Sequence, residues 1–241
     1  MCGRFVQPDQ GAIERAWLIT PRDRIPLLPA GVRYNVTPGS YVPILRVEAG
    51  KIVLRAARWG LVPSWSGESE TGQNMINARI ETAAEKPAFR AAVARRRCLI
   101  PAQGWYEWQV LGAKRKQPWF IHLPQEGPLA FAAIWEQKPI NALEVLETVS
   151  ILTCDAAESI SHIHHRMPVV LDKLHQSTWL DDGNKDGSSQ AQLALEGAVL
   201  GFKAHRVSPR VSKPQNDDPD LCRPEAPQAD PQRDLWDNTG P

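Results

Sequence analysis

Cysteine occupies position 2, directly after the initiator methionine, and is followed by Gly3-Arg4-Phe5. A small second residue favours removal of Met1, which would leave Cys2 with a free α-amine beside its thiol. The intrinsic pKa values of an α-amine and a thiol, about 8 and about 8.5, leave part of each population deprotonated near neutrality. Such an amine condenses with an aldehyde to an imine, releasing water. The thiol of the same residue can then add to the imine carbon and close a five-membered thiazolidine ring. Closure is intramolecular, where effective molarities reach roughly 10⁵ M or more, and the ring is much harder to hydrolyse than the imine. Lysine could form only the imine, and serine a weaker ring. Position alone favours the bland reading, in which a cysteine near a chain end is a small buried side chain.

Glu107 offers acid–base chemistry. It lies in Gly104-Trp105-Tyr106-Glu107-Trp108, a strand-like run. A carboxyl packed against such aromatics is expected to have a raised pKa and to serve as a general acid or base; without other signals, a strand glutamate alternating toward solvent is the commoner case. Three further strings draw notice: Arg33-Tyr34-Asn35-Val36-Thr37-Pro38-Gly39; Arg58-Trp59-Gly60-Leu61-Val62-Pro63-Ser64-Trp65 followed by Asn77-Ala78-Arg79-Ile80-Glu81-Thr82; and Ile163-His164-His165-Arg166-Met167-Pro168.

Together with the Met-Cys-Gly-Arg-Phe start, these segments resemble the SRAP family, the SOS response-associated peptidases, in the family's order and over residues 1 to about 213. The resemblance implies covalent capture of abasic sites in single-stranded DNA through Cys2, with no cofactor and no metal. It also implies a compact, mostly β domain with a positively charged DNA channel. Asn77 matches the family's active-site asparagine, whose amide would hold the sugar hydroxyl or orient the Cys2 amine. His164 matches its histidine, suited to moving a proton near neutrality. Glu107 matches the glutamate that assists at the amine and thiol. Arg79 and Arg166 match positions that contact phosphate, where a planar guanidinium suits the oxygens. Arg4, beside the nucleophile, is a further phosphate candidate. Trp65 and Trp108 are candidates to stack on exposed bases or wedge a duplex junction. Pro38 with Gly39 is expected to form a tight turn lining the channel, with Asn35 bracing the site from behind. The competing readings are structural ion pairs for the arginines and core packing for the tryptophans.

Two other functions compete with this one. N-terminal-nucleophile amidohydrolases and peptidases also use a terminal cysteine, but Arg-Phe follows Met-Cys-Gly here and no amide-binding segment is evident. A metal module of Cys154, His162, His164 and His165 lacks the paired cysteines of structural zinc sites. His162 and His165 therefore read as surface or structural residues.

The elements that must position these groups are mainly strands. β-Branched and aromatic runs bounded by Gly and Pro fall at residues 42–47, 51–58, 97–101, 104–110, 119–123, 129–135, 147–153 and 201–207. Helices are expected at residues 10–17, within 79–94, at 173–180 and at 188–198. Strands outnumber helices, which gives an α+β domain with a strand-rich, barrel-like core of mostly antiparallel sheet and peripheral helices. Of the 241 residues, 42% are hydrophobic, which excludes global disorder. The net charge of +1 divides unevenly. Residues 214–241 hold seven acidic residues, two arginines and six prolines, a balance of −5, so residues 1–213 carry +6. That composition predicts a basic domain over 1–213, permissive for an anionic partner, and an acidic, proline-rich disordered tail over 214–241. No apolar run approaches the ~18 residues of a membrane span, and no secretory signal pattern follows Phe5. A cytoplasmic, monomeric protein with four reduced cysteines, nucleoid-associated when bound to DNA, is expected.

Overall fold

Strands β3 (Tyr41–Glu48) and β4 (Lys51–Trp59) form a hairpin whose two loop residues, Ala49 and Gly50, both take positive φ (49° and 76°). A two-residue turn of this kind matches the right-handed twist of paired strands, and it fixes the register from Glu48↔Lys51 to Tyr41↔Arg58. The computed structural model, which describes residues 2–20, 23, 31–67, 75–112, 115–141, 143–181, 183 and 185–225, builds a closed barrel outward from this hairpin. β3 pairs with β6 (Arg97–Ala102), β6 with β9 (Leu129–Pro139), β9 with β10 (Val145–Asp155), and β10 returns to β4 in parallel at Thr148↔Arg58 and Val149↔Trp59. Every residue of β6 is buried. Such a continuously buried strand is covered on both faces. On the outer side helix α5 (Lys173–Leu180) locks on, with the Trp179 indole N–H donating to the Cys98 carbonyl at 2.9 Å and the Arg97 guanidinium to the Trp179 carbonyl at 2.7 Å.

A second, antiparallel sheet has the order β12 (Lys203–Arg206), β8 (Arg115–His122), β7 (Gly104–Leu111), β1 (Phe5–Gln7), β2 (Arg33–Val36). It joins the barrel through edge-on aromatic contacts, Phe5 to Trp59 at 5.3 Å and Trp105 to Phe131 at 6.0 Å between ring centres. Alternation along β7 sends Trp105 into this junction and Tyr106 to the opposite face, where it packs with Val6, Phe120, Val211 and Leu221. Gly104 permits the close β7–β8 approach, since a Cβ there would lie 2.4 Å from the Ile121 carbonyl oxygen.

β10 runs past the barrel and carries two short strands. β5 (Asn77–Arg79) pairs with it in parallel from Ile151 to Thr153, and β11 (Arg166–Pro168) pairs antiparallel from Thr153 to Asp155. The remaining helices are α1 (Gln10–Trp17), α2 (Ile80–Ala83), α3 (Arg90–Arg95), α4 (Glu158–Ser161) and α6 (Gly187–Glu196). The single helix expected within residues 79–94 is two short ones, because Pro87 between them disfavours helix at its predecessor and removes a donor.

The tail boundary expected at residue 214 is also displaced. Residues 214–225 pack against the second sheet, while 226–241 lie outside the described residues. Asp217 accepts the backbone N–H groups of Tyr34 and Asn35, and Asn216 accepts from the Asn35 amide at 2.7 Å. Leu221, in the 3₁₀ turn Pro219–Cys222, is fully buried, and the Tyr106 hydroxyl lies 3.1 Å from the Cys222 sulfur. The high content of Asp and Pro concealed this: those carboxylates cap turns. Leu221→Ala should therefore cost about 2–5 kcal/mol in urea unfolding. Ending the chain at Lys213 should cost more, because the caps on β2 leave with it; an unchanged midpoint would show that this segment adds nothing to stability.

Candidate active site

Cys2, separated from β1 by Gly3 and Arg4, is fully buried in the core cluster shared by the barrel and the second sheet. β1 pairs with β7 at Phe5↔Trp105, and the Tyr106 N–H donates to the Arg4 carbonyl at 3.0 Å. Continuing that antiparallel register sets Glu107 across from Gly3, next to the cysteine. The two-residue period gives Glu107 the same inward face as Trp105, and it is only 3% exposed. Burial pushes its carboxyl up to about 7, and the positive amino terminus opposes the shift without cancelling it. The Cys2 thiol is itself pushed far up, first by burial and then by the negative charge of Glu107. Its Sγ faces the Arg4 carbonyl at 3.9 Å, a weak contact. The resting site is thus a neutral thiol beside a carboxyl that exchanges its proton near neutrality.

The overrun of β10 supplies the rest. Asn77, first in β5, donates from Nδ2 to the Cys2 carbonyl at 2.8 Å, while its Oδ1 is buried with no hydrogen-bond partner among the described residues. An orphaned amide oxygen is costly to bury and leaves an acceptor for an incoming hydroxyl or amine. His164 lies just before β11, and its Nδ1 is 3.0 Å from both the N–H and the carbonyl of Arg166. The amide N–H can only donate and the carbonyl can only accept, so Nδ1 serves one or the other according to the tautomer of the neutral ring. Burial is the main reason its pKa is lowered, which favours that neutral form. The ring stacks on His165 at 4.5 Å. His162 lies elsewhere, edge-on to Trp119 at 5.6 Å.

The arginines divide sharply. Arg79 is exposed, and its side chain makes no hydrogen bond or ion pair among the described residues. Arg166 is 6% exposed and already committed: Glu81 takes Nη1 and Nη2 at 2.7 and 2.9 Å, Asp155 takes Nη1 at 2.6 Å, and the Thr153 carbonyl takes Nη2 at 2.7 Å. The geometry makes Arg166 a brace tying α2, β10 and the His164 segment together. Arg4, half-buried, is likewise committed, donating to Asn35 Oδ1 at 2.9 Å and to the carbonyls of Val211 and Ser212 at 3.0 and 3.3 Å. Asn35, 3% exposed, reaches the carbonyls of Val211, Lys213 and Asn216 from its Nδ2, so it braces the chain behind the nucleophile. Glu81 and Asp155 carry no signal in the sequence that would assign them a role. An acidic residue two positions after Arg79 is visible there, but nothing in one dimension links it to Arg166, 85 residues on.

Trp65 is 70% exposed, at the turn after Pro63. Trp108 is half-buried against the Tyr106 cluster, with its indole N–H on Ser212 Oγ at 3.1 Å. Pro38 and Gly39 are exposed in a turn closed by the Ser40 N–H on the Thr37 carbonyl at 3.2 Å, with Gly39 at φ 86°, the pattern of a type II turn. A concavity of about 630 Å³ between α1, α5 and residues 123–129 contains none of Cys2, Asn77, Glu107 and His164; chemistry, not volume, marks the site.

The family model described as SOS response associated peptidase (SRAP) matches residues 1–214. The chain is 36% identical over 188 residues to the abasic site processing protein YoaM of Bacillus subtilis, covering 78% of this chain and 83% of that one. It is 33% identical over 228 residues to the abasic site processing protein YedK of Escherichia coli, covering 93% of this chain and all of that one. A crystal structure of a protein from Bacteroides thetaiotaomicron superposes with a TM-score of 0.68 at 27% identity, covering 80% of this chain and 85% of the other. A cysteine in second place, buried against a carboxyl of raised pKa and held by an asparagine, thus lies within a family match over residues 1–214, and the chain belongs to the SRAP family.

Proposed function

We propose that this chain processes abasic sites in single-stranded DNA by joining Cys2, once Met1 is removed, to the open-chain aldehyde of the sugar as a thiazolidine. The observation that carries the reading is Asn77 holding the Cys2 carbonyl at 2.8 Å while Glu107, on the adjacent strand, titrates near neutrality. Relatives named as abasic site processing proteins support the substrate class.

The steps balance. The α-amine adds to the aldehyde carbon to give a carbinolamine. Loss of one water gives the imine, and addition of the thiol across the C=N bond moves the thiol proton to nitrogen. Glu107 relays protons at the amine and thiol. Neutral His164 serves the sugar hydroxyl during ring opening and release. Asn77 Oδ1 accepts from the amine or that hydroxyl. Arg79 takes a flanking phosphate, and Trp65 and Trp108 offer aromatic faces to neighbouring bases. Intact mass spectrometry after mixing with an abasic oligonucleotide tests the whole: the adduct should weigh the sum of the two components less one water. Protein and oligonucleotide recovered at their separate masses would reject the reading.

The arginines give a further expected result. Arg79→Ala should weaken binding to single strands of any sequence and reduce the salt slope by about 0.7, the increment for one phosphate neutralised on a single strand. Arg166→Ala should instead lower stability by about 1–3 kcal/mol, because the buried Thr153 carbonyl loses a charged donor while the exposed Glu81 and Asp155 return to water. Filter binding against salt and urea unfolding separate the two. Equal salt slopes for parent and Arg79→Ala would remove Arg79 from the DNA interface.

A further inference from the structure

Lys138, near the end of β9, is 8% exposed. A buried ammonium must replace its hydration shell with protein oxygens or carboxylates. Among the described residues no carboxylate pairs with Lys138. Its Nζ instead donates to the Gly67 carbonyl at 2.6 Å and reaches Ser66 Oγ at 3.4 Å. Both acceptors directly follow Trp65 in sequence.

The turn that carries Trp65 is fixed at its other side as well. Pro63 sets its own φ, and its carbonyl accepts twice from Ser66, from the N–H at 3.0 Å and from Oγ at 2.7 Å. The preceding Val62 N–H is held by Thr148 Oγ1 on β10 at 3.0 Å. A large aromatic side chain left 70% exposed gains little from the fold, yet the backbone beneath it is pinned to β9 and β10. Rigid support of an exposed aromatic lowers the ordering cost of a partner that stacks on it. Charge-assisted hydrogen bonds are roughly twice as strong as neutral ones, so Lys138 is the strongest of these ties.

We propose that Lys138 is a positioning residue that holds the Pro63–Gly67 turn so that Trp65 presents its ring to an unpaired base flanking the lesion. The inference rests on the proposed DNA reading and adds to it the group that sets the stacking platform. Lys138 does not touch DNA; its ammonium is spent on the turn.

The test compares noncovalent binding of two single-stranded oligonucleotides, both with a reduced, unreactive abasic site. One keeps its neighbouring bases, and the other has base-free linkers on both sides. Stacking on one base is worth on the order of fivefold to 100-fold in affinity, so Trp65→Ala should lose at least fivefold on the first and nothing on the second. Lys138→Met should lose about threefold or more on the first only, be non-additive with Trp65→Ala, and recover with Lys138→Arg. Its salt slope should equal that of the parent. Loss on both oligonucleotides, a smaller salt slope, or full additivity with Trp65→Ala would each overturn the proposal, the second by making Lys138 a phosphate contact. Should Lys138→Met fail to fold, Ser66→Ala opens the turn without altering charge and should show the same base dependence; its absence would equally overturn the proposal. Parent crosslinking to an unreduced abasic oligonucleotide is scored separately, so failure of the covalent reading is not confused with failure of this one.

Discussion

Cys2→Ala should abolish the heat-stable adduct with abasic DNA while leaving noncovalent single-strand binding in place, since phosphate contacts rather than this buried, uncharged thiol would supply that affinity. Alanine at the same place keeps a small second residue and, after Met1 removal, an α-amine. The amine alone stops at the imine, which hydrolyses on heating. The difference between variants therefore isolates the thiol from the amine. Borohydride should trap the Cys2→Ala imine but add nothing to the parent yield, and retention of Met1 should block ring closure, because the Cys2 nitrogen is then an amide. A heat-stable, unreduced adduct from Cys2→Ala would end the thiazolidine mechanism. Replacing Cys98 and Cys154, buried mid-chain in strands β6 and β10 with no α-amine beside the thiol, should leave the adduct intact.

Glu107→Gln should slow crosslink formation by about 10²–10⁴-fold, the usual worth of a placed acid–base group, and should remove a limb from its pH profile. The parent carboxyl titrates at about 7. If its ionised form accepts the amine or thiol proton, the parent rate rises with pH through that value and the variant shows no such rise. The same group has a thermodynamic signature of opposite sign. Its folded pKa of about 7 exceeds the ordinary 4.5, so between those values the native state holds a proton the unfolded chain has released. Stability is unaffected below about pH 4.5 and falls as pH rises through the window, by about 3 kcal/mol in total. Glutamine cannot ionise, so Glu107→Gln should be the more stable protein at pH 8 and no more stable at pH 4. A variant that is slower yet no more stable at pH 8 would mean Glu107 is not a buried acid of raised pKa. In the same time course, followed by a chase with excess abasic competitor, His164→Ala should slow release more than it lowers yield; parental release would shift that role to His165.

The α+β class and the barrel-like core were legible because the long strands announce themselves. Residues 42–47, 51–58 and 97–101 alternate or stay apolar over enough length for the two-residue period to register, and all fall within observed strands. Helices α1 and α5 coincide with the expected ranges, each opened by an aspartate whose side chain accepts from the first turn. The three-residue strands were missed. Asn77-Ala78-Arg79 and Arg166-Met167-Pro168 are too short and too polar for any period, and they are strands only because β10 extends beyond the barrel to pair with them. The site residues were visible as types in motifs. Their division of labour was not, since a sequence shows an arginine but not its partners. Arg79 and Arg166 looked alike in one dimension, and they differ because Glu81 and Asp155 face only the second. Lys138 lay in a strand with no motif around it and gave no signal at all.

The clasp formed by Arg4 and Asn35 on the carbonyls of residues 211–216 has a consequence for the order of events during synthesis. Cys2 precedes by more than 200 residues the segment 211–216 that fastens β1 and β2 behind it. A nascent chain therefore carries its cysteine long before it owns the scaffold that aims it. A product stalled before residue 211 would hold Cys2 without the braces that lie behind it.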